Sequence, residues 1–268
     1  MLAQASHLAA PSGRDRLSGP SDLVALRRAV SEQIAPLREV AADVESAVGP
    51  IVDNDAARER VASRLTAYDA SRVIAGVGSL LVPFVRATIA LERAGLATET
   101  EAADARDRRF QLAPLIGDWL NAEPMPRDPA KVTARRAAAI VLGAVLRCVS
   151  AAALKDVSLA AWNRAHCPGC GGPPDFVECA APGERVLACS RCDTRWRAAA
   201  PGCLGCGAID APELARILSG SLGYTLVICN ACGRYIKEPL EALGTDLLAE
   251  RVLTAQLDGA AEARGLRL

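Results

Sequence analysis

The sequence carries no net charge and almost no histidine. Its 31 Lys and Arg residues are balanced by 31 Asp and Glu residues, and the two histidines are His7 and His166. A neutral chain creates no global field that would attract nucleic acid or anionic lipid. The sequence also lacks a glycine-rich phosphate loop after a strand and a zincin helix motif. We therefore expect a protein that is not an enzyme and has no catalytic residues.

Long apolar runs and a signal peptide are missing as well. The longest apolar stretches fall short of the roughly 20 residues that span a bilayer. The opening residues Met1–His7 include neither a basic segment nor a continuous apolar segment of the kind that begins a secreted protein. These absences predict a cytoplasmic protein with no membrane insertion.

Cysteine is the residue that the sequence has in quantity, with ten in all, eight of them in Cys-x-x-Cys pairs. Two thiolates three positions apart can bind one metal ion from a tight turn, which we call a knuckle. The 18 residues 171–188 separate the first two pairs, a usual spacing for a four-cysteine site, whereas the 22 residues 207–228 between the last two slightly exceed it. Knuckles 1 to 4 are Cys167/Cys170, Cys189/Cys192, Cys203/Cys206 and Cys229/Cys232.

Two four-thiolate metal sites are the interpretation that this pattern favours. Four thiolates saturate a tetrahedron, so such sites are structural rather than catalytic. Zinc and iron both accept these ligands, and the ligands do not distinguish them. We expect sequential pairing, knuckle 1 with 2 and knuckle 3 with 4, because it closes the shorter loops. Interleaved pairing is the alternative.

The other readings of the cysteines are weaker. Disulfides suit short secreted domains, and a thioredoxin-type redox motif needs one pair at a strand-to-helix junction, not four in series. Cys148 lies in an apolar run and is expected to be a small buried hydrophobe. Cys179 is expected to be a spare residue, and His166 an exposed histidine beside a turn. The alternative for each is that it serves as a metal ligand.

Composition divides the chain into four parts. Residues 1–20, rich in Ser, Gly, Pro and Ala, predict a flexible N-terminal lead-in. Residues 21–165 show helical periodicity without a convincing strand, and predict an α-helical domain. Residues 166–240 hold the knuckles and only short apolar runs, which predict two ribbon modules that depend on metal for folding. Residues 241–268 predict a C-terminal helix and tail.

The predicted fold class is therefore mainly α, with a helical domain followed by tandem rubredoxin-like or zinc-ribbon modules and a C-terminal helix. The last helix of the helical domain is expected over residues 129–164, with Asp128 as its N-cap and Pro129 at its first position. Thr245 is the expected cap of the closing helix.

The order of the cysteine motifs resembles that of the FdhE family, accessory proteins for the maturation of formate dehydrogenase. The similarity covers residues 166–260. The matching pieces are Cys167–Gly171, Cys189–Cys192 with Trp196, Cys203–Gly207, and Cys229–Lys237, which contains Tyr235.

The resemblance implies two metal ions per chain, iron or zinc, each in a four-cysteine site. It also implies binding to the catalytic subunit of a respiratory formate dehydrogenase in the cytoplasm, without catalytic activity. Arg195, Arg197 and Arg234 are candidates for the partner surface, because a guanidinium can donate forked hydrogen bonds to acidic or phosphate-bearing groups. A homodimer is possible.

Two alternatives remain from the sequence: a zinc-ribbon module that binds nucleic acid, and a rubredoxin-like electron-transfer protein. Residues 167–238 contain seven Lys or Arg and seven Asp or Glu, whereas a nucleic-acid surface shows a basic excess. Electron transfer depends on iron occupancy.

Overall fold

The structure, a computed structural model, describes residues 20–48, 53–108, 112–123, 125–181, 184–198, 202–209 and 213–268. The lead-in predicted for residues 1–20 lies outside this part of the chain, apart from residue 20, where the first helix begins.

The N-terminal part is helical, as predicted, and its described residues before 174 contain no strand. Its helices are α1 (Pro20–Gln33), α2 (Ala35–Ala47), α3 (Asn54–Ala62), α4 (Ala70–Gly76), α5 (Leu81–Arg93), α6 (Glu99–Asp107), α7 (Leu112–Leu120) and α8 (Pro129–Ala153). Helices α2 to α7 all pack against α8, whose buried face is rich in alanine and valine. Small side chains let neighbouring helices approach it closely.

Helix α8 begins as predicted and ends earlier. The Asp128 carboxylate accepts hydrogen bonds from the backbone N–H groups of Ala130 at 2.9 Å and Lys131 at 3.2 Å. The expected end at residue 164 is wrong, because the helix stops at Ala153 and Asp156 adopts the left-handed conformation with φ 62°. A left-handed residue cannot continue a right-handed helix.

By length and composition alone, α8 could cross a membrane, whereas the sequence predicts that no apolar stretch is long enough. In its most apolar window 61% of the residues are buried inside the protein. Helices α4 and α5, bent by 102°, meet the same criterion only when counted as one span. Burial of this kind is what the central helix of a helical bundle shows.

The described residues of the cysteine-rich part form one mixed sheet of six strands. They are β1 (Pro174–Ala181), β2 (Glu184–Cys189), β3 (Arg195–Ala198), β4 (Leu214–Ser219), β5 (Tyr224–Cys229) and β6 (Tyr235–Pro239). Their order is β3-β2-β1-β6-β5-β4. Strands β1 and β6 pair in parallel at Phe176 and Lys237, and the other neighbours are antiparallel.

The prediction of a mainly α protein is therefore only partly right, since the structure is about half helical with this sheet beside the helices. Two separate three-stranded ribbons would each leave an additional edge of unpaired backbone groups. Pairing β1 with β6 satisfies groups on both inner edges and fuses the predicted modules into one sheet.

The closing segment is two short helices, α9 (Leu247–Leu253) and α10 (Ala255–Glu262), where one was expected. They are separated at Thr254, whose hydroxyl donates to the backbone oxygen of Glu250 at 2.8 Å. This kind of contact bends a helix. The cap of α9 is Asp246, which accepts from the Ala249 N–H at 3.1 Å, and the expected Thr245 is not its cap.

One hydrophobic core connects the helices with the sheet. It extends from Ile34 and Val145 in the helices to Phe176 and Tyr224 in the sheet and Leu247 in α9. The domain boundary predicted between residues 165 and 166 falls in the segment between α8 and β1, and this shared core crosses it. The first two knuckles lie within the core.

Candidate metal centre

Knuckles 1 and 2 form the first cluster. The sulfur atoms of Cys167 and Cys192 are 3.5 Å apart, as are those of Cys170 and Cys189. All four sulfurs lie within 4.8 Å of one another, and all four residues are buried. Strand β2 ends at Cys189, so the antiparallel sheet delivers knuckle 2 against the turn of knuckle 1.

Knuckles 3 and 4 form the second cluster. The sulfur atoms of Cys203 and Cys232 are 3.5 Å apart, and so are those of Cys206 and Cys229. These four also lie within 4.8 Å of one another. Strand β5 ends at Cys229 as β2 ends at Cys189. The structure thus groups the knuckles sequentially, as expected.

Both clusters fit a tetrahedral metal ion. A zinc–sulfur bond of about 2.3 Å implies roughly 3.8 Å between the sulfurs of a regular tetrahedron. The observed separations, from 3.5 Å up to no more than 4.8 Å, bracket that value. Either cluster could hold zinc or iron, and the role of the eight cysteines as ligands stays a prediction.

Backbone hydrogen bonds repeat from knuckle to knuckle. The N–H of the first cysteine donates across the turn, from Cys167 to the Gly172 oxygen at 2.9 Å and from Cys229 to the Arg234 oxygen at 2.8 Å. A left-handed residue follows the second cysteine in every knuckle: Gly171 (φ 76°), Asp193 (φ 61°), Gly207 (φ 78°) and Gly233 (φ 68°). Three of the four positions have glycine, for which this conformation costs little.

Backbone N–H groups also point at the sulfurs. The N–H of Gly172 donates to the Cys170 sulfur at 3.4 Å, that of Arg191 to the Cys189 sulfur at 3.4 Å, and that of Gly205 to the Cys203 sulfur at 3.3 Å. Such donors stabilise thiolate charge around a bound ion.

The cysteines of the first cluster shift one another's pKa values. Hydrogen bonds from Cys167, Cys170 and Cys189 lower the pKa of the Cys192 thiol well below its usual value. Burial is the main reason that the pKa of Cys189 is raised well above its usual value. A thiol must lose its proton to bind a metal ion, so metal binding at this cluster releases protons.

In the second cluster, one cysteine thiol has a pKa close to neutral pH. Burial raises the pKa of Cys203, but hydrogen bonds from the backbone N–H groups of Cys206 and Gly205 outweigh it and bring the pKa down to about 7. Burial raises the pKa of Cys232 to about 12. Acid competes with metal at both clusters, since a thiolate must be deprotonated to bind.

Residues of the helical part cover the first cluster. The hydroxyls of Tyr68 and Ser150 are 2.6 Å apart beside it, and a hydrogen bond from Ser150 also lowers the pKa of Cys192. Burial, with the nearby charge of Cys192, raises the pKa of Tyr68, so its hydroxyl stays neutral. The Ala67 N–H donates to the Pro168 oxygen of knuckle 1 at 2.8 Å.

Knuckle 2 is held by charged residues that were not predicted from the sequence. Arg251 of α9 donates to Asp175 at 2.6 Å, to Asp193 at 2.7 Å and to the Cys189 backbone oxygen at 2.8 Å. Arg147 of α8 lies 3.6 Å from the same Asp193. The available signal was Asp193 itself, an aspartate at the position where the other knuckles have glycine.

The remaining predicted residues take less central positions. Cys148 is half-buried, not fully buried as expected, with its sulfur 3.8 Å from the Val48 oxygen. Cys179 is exposed on β1, outside both clusters. His166 is half-buried, not exposed as expected, and meets the Trp162 ring edge-on at 5.4 Å. None of the three joins a cysteine cluster.

The three candidate partner arginines all have partners within the chain. Arg195 donates to the Gly244 oxygen at 2.7 Å, and Arg234 donates to the Leu268 oxygen. Arg197 is largely exposed and pairs with Glu184 at the surface. Partner binding by these residues stays a prediction, for which Arg197 is the most accessible of the three.

Comparison with known proteins bears on the fold. No protein-family model and no curated protein matches the sequence. The structure is similar to the crystal structure of the FdhE protein from Pseudomonas aeruginosa, with a TM-score of 0.56 and 20% sequence identity, over 91% of this chain and 89% of that chain. The resemblance expected from the cysteine motifs is thus confirmed at the level of the fold.

Proposed function

We propose that this chain is an FdhE-type accessory protein that supports the maturation of formate dehydrogenase by binding, not by catalysis. The observation that carries the proposal is that two similarities occur together in this chain. The chain shares its fold with an FdhE protein over most of its length, and its eight motif cysteines lie in two compact four-sulfur groups. An unrelated zinc ribbon would share only the second feature.

In this proposal the partner is the catalytic subunit of a formate dehydrogenase, which the chain binds in the cytoplasm before the subunit is exported. Each cluster holds one ion, iron or zinc, and four thiolates leave no open position for water. The ions stabilise the surface that recognises the partner.

The exposed apolar side chains support a binding surface in the second half of the sheet. The described part of the chain exposes eight large hydrophobic side chains, and four of them lie between residues 209 and 240: Ile209, Ile217, Leu218 and Leu240. Ile217 and Leu218 are consecutive on β4, an edge strand of the sheet, so their side chains extend to opposite faces of that edge. Exposed apolar side chains at a sheet edge are features of protein-binding sites.

Capture from formate-respiring cells tests the proposal. The tagged chain should recover a formate dehydrogenase catalytic subunit. Cys167→Ser and Cys229→Ser should each lower the metal content by about one ion per chain, since each removes a ligand from a different cluster, and should reduce recovery. Cys179→Ser changes an exposed cysteine outside both clusters and is the matched control.

Equal recovery by the ligand variants and the control would show that the metal sites take no part in recognition. Recovery of nucleic acid without the dehydrogenase subunit would contradict the proposed function.

A further inference from the structure

The two cysteine clusters differ in their access to solvent. Every cysteine of the first cluster is buried. In the second cluster Cys229 is buried, Cys203 and Cys232 are half-buried, and Cys206 is exposed. A chelator in solution can therefore reach one corner of the second cluster, and reaches the first only after part of the protein has opened.

Contacts with the helices hold both knuckles of the first cluster in place. Gly169 in knuckle 1 lies so close to α8 that a Cβ there would be 2.8 Å from the Ser150 hydroxyl. In knuckle 2, Arg191 donates to the Leu120 oxygen at the end of α7 at 2.7 Å and lies 5.5 Å from the centre of the Trp119 ring. Opening this cluster would separate the sheet from α7 and α8.

Helix α9 also restrains knuckle 2. Arg251 joins the Cys189 oxygen, Asp175 and Asp193. The side chains of Arg251 and Asp175 are 20% and 3% exposed. Breaking a pair of this kind leaves a buried charge without a partner, which is costly. The first cluster thus ties three parts of the fold together: the helices, the sheet and the C-terminal helices.

The second cluster is held by shorter-range contacts. The Cys203 N–H donates to the Ala208 oxygen of its own turn at 2.8 Å. Knuckle 4 is held by the tail, where the Arg267 N–H donates to the Gly233 oxygen at 2.9 Å. The Arg234 side chain lies against Gly205 of knuckle 3. In the described residues, knuckle 3 is also held by Arg185 of β2, which donates to the Gly202 oxygen at 2.8 Å, and by Leu204, which packs against the shared core. Residues 202–209 contain no charged side chain, so no ion pair like that of Arg251 restrains this knuckle.

We infer that the two sites have different roles: the first retains its ion and holds the helices and the sheet together, and the second is an exchangeable metal site. The inference rests on the metal-binding part of the function proposed above, and not on the identity of the partner. Release from the first site requires subglobal unfolding, so the second site should lose its ion at least about ten times faster.

Zinc release from the full-length protein tests this. The protein loaded with zinc is mixed with excess pyridylazoresorcinol, and the coloured complex is followed over time. We expect two phases of one ion each. Cys206→Ser should remove the fast phase and leave the slow one, which assigns the fast phase to the second cluster.

Thiol labelling of the unmodified protein gives an assignment that does not depend on how a variant folds. N-ethylmaleimide added during release should modify Cys203, Cys206, Cys229 and Cys232 with the fast phase, and the first cluster only with the slow phase. Exposed Cys179 should react at the same rate with and without chelator, as an internal reference.

Release of both ions in one phase, or modification of the first cluster before the second, would overturn the inference. The zinc content at the start tests metal binding by itself. Because no partner is present in the experiment, its result is independent of whether the chain binds a dehydrogenase subunit.

Discussion

Asp193 occupies the left-handed position that glycine fills in the other three knuckles. Aspartate tolerates this conformation better than most residues but less well than glycine. What the carboxylate gains is contact with Arg251 at 2.7 Å and Arg147 at 3.6 Å, from two different helices. A residue with a modest local cost therefore connects a metal knuckle to distant parts of the chain.

Arg251→Met is the substitution that tests this connection. Burial alone lowers the pKa of Arg251, but Asp175 and Asp193 outweigh it and raise the pKa, so the guanidinium is charged at every accessible pH. Its removal leaves Asp175 buried and unpaired, and should lower the free energy of unfolding by about 3–5 kcal/mol. Urea denaturation of the metal-loaded protein measures the change.

Arg197→Met is the matched control. Arg197 pairs with Glu184 at the surface, where its side chain is 76% exposed. A pair of this kind contributes about 0–1 kcal/mol. Similar losses in the two variants would show that Arg251 acts as an ordinary surface charge.

The structural elements that were predicted correctly are those formed by residues close together in the sequence. A knuckle is formed by residues within one turn, and Asp128 lies directly before the helix that it caps, so motif and element coincide. The joining of β1 to β6 depends on Phe176 meeting Lys237 from the other half of the sheet. Its sequence signal is weak because short strands give little periodicity.

The same limit explains what was missed at the metal centre. The eight cysteines could be found because their spacing is itself the motif. The Arg251 and Asp175 contact joins residues 76 positions apart, and an arginine on an amphipathic helix gives no sign that it will reach a buried aspartate. The division of the closing segment at Thr254 was missed for a different reason, since threonine within a helical pattern is common.

The start of α8 yields a prediction at the scale of the element. Asp128→Ala removes the acceptor for two backbone N–H groups and should lower the free energy of unfolding by about 0.5–2 kcal/mol. Asp128→Asn keeps a good capping side chain and loses only the charge contact with Arg108 at 3.1 Å. The asparagine variant should retain most of the stability in urea denaturation. A loss as large as that of the alanine variant would assign the effect to the ion pair.

Strand β4 yields a second prediction at the scale of the element. Ile217→Lys and Leu218→Lys place charges on the exposed edge of the sheet. Each should reduce capture of the dehydrogenase subunit by about tenfold or more, because a few interface side chains carry most of the binding energy. Val82→Lys on α5 is the control, because Val82 and Leu218 are both 65% exposed. Metal content should be unchanged in all three. Equal capture by all three variants would place the partner surface elsewhere.

At the scale of the whole molecule, the beginning and end of the described chain meet. Arg27 of α1 lies 3.0 Å from Glu250 of α9, and the buried Tyr224 hydroxyl of β5 donates to the same carboxylate. Together with the continuous core, this contact makes the helices and the sheet mutually dependent. Loss of metal from the first cluster should therefore lower the stability of the helical half as well as that of the sheet.

Charge is the whole-molecule property that separates the proposed function from nucleic-acid binding. Residues 167–238 are as neutral as the complete chain, with seven Lys or Arg against seven Asp or Glu. Non-specific binding to nucleic acid depends on several basic contacts to phosphates and weakens steeply with salt. We therefore expect no rise in the fluorescence anisotropy of labelled duplex DNA or single-stranded RNA at about 50 mM salt, with polylysine as the positive control. Binding that rises as salt is lowered would instead support a zinc ribbon that recognises nucleic acid, because a neutral module can do so only through a local basic surface.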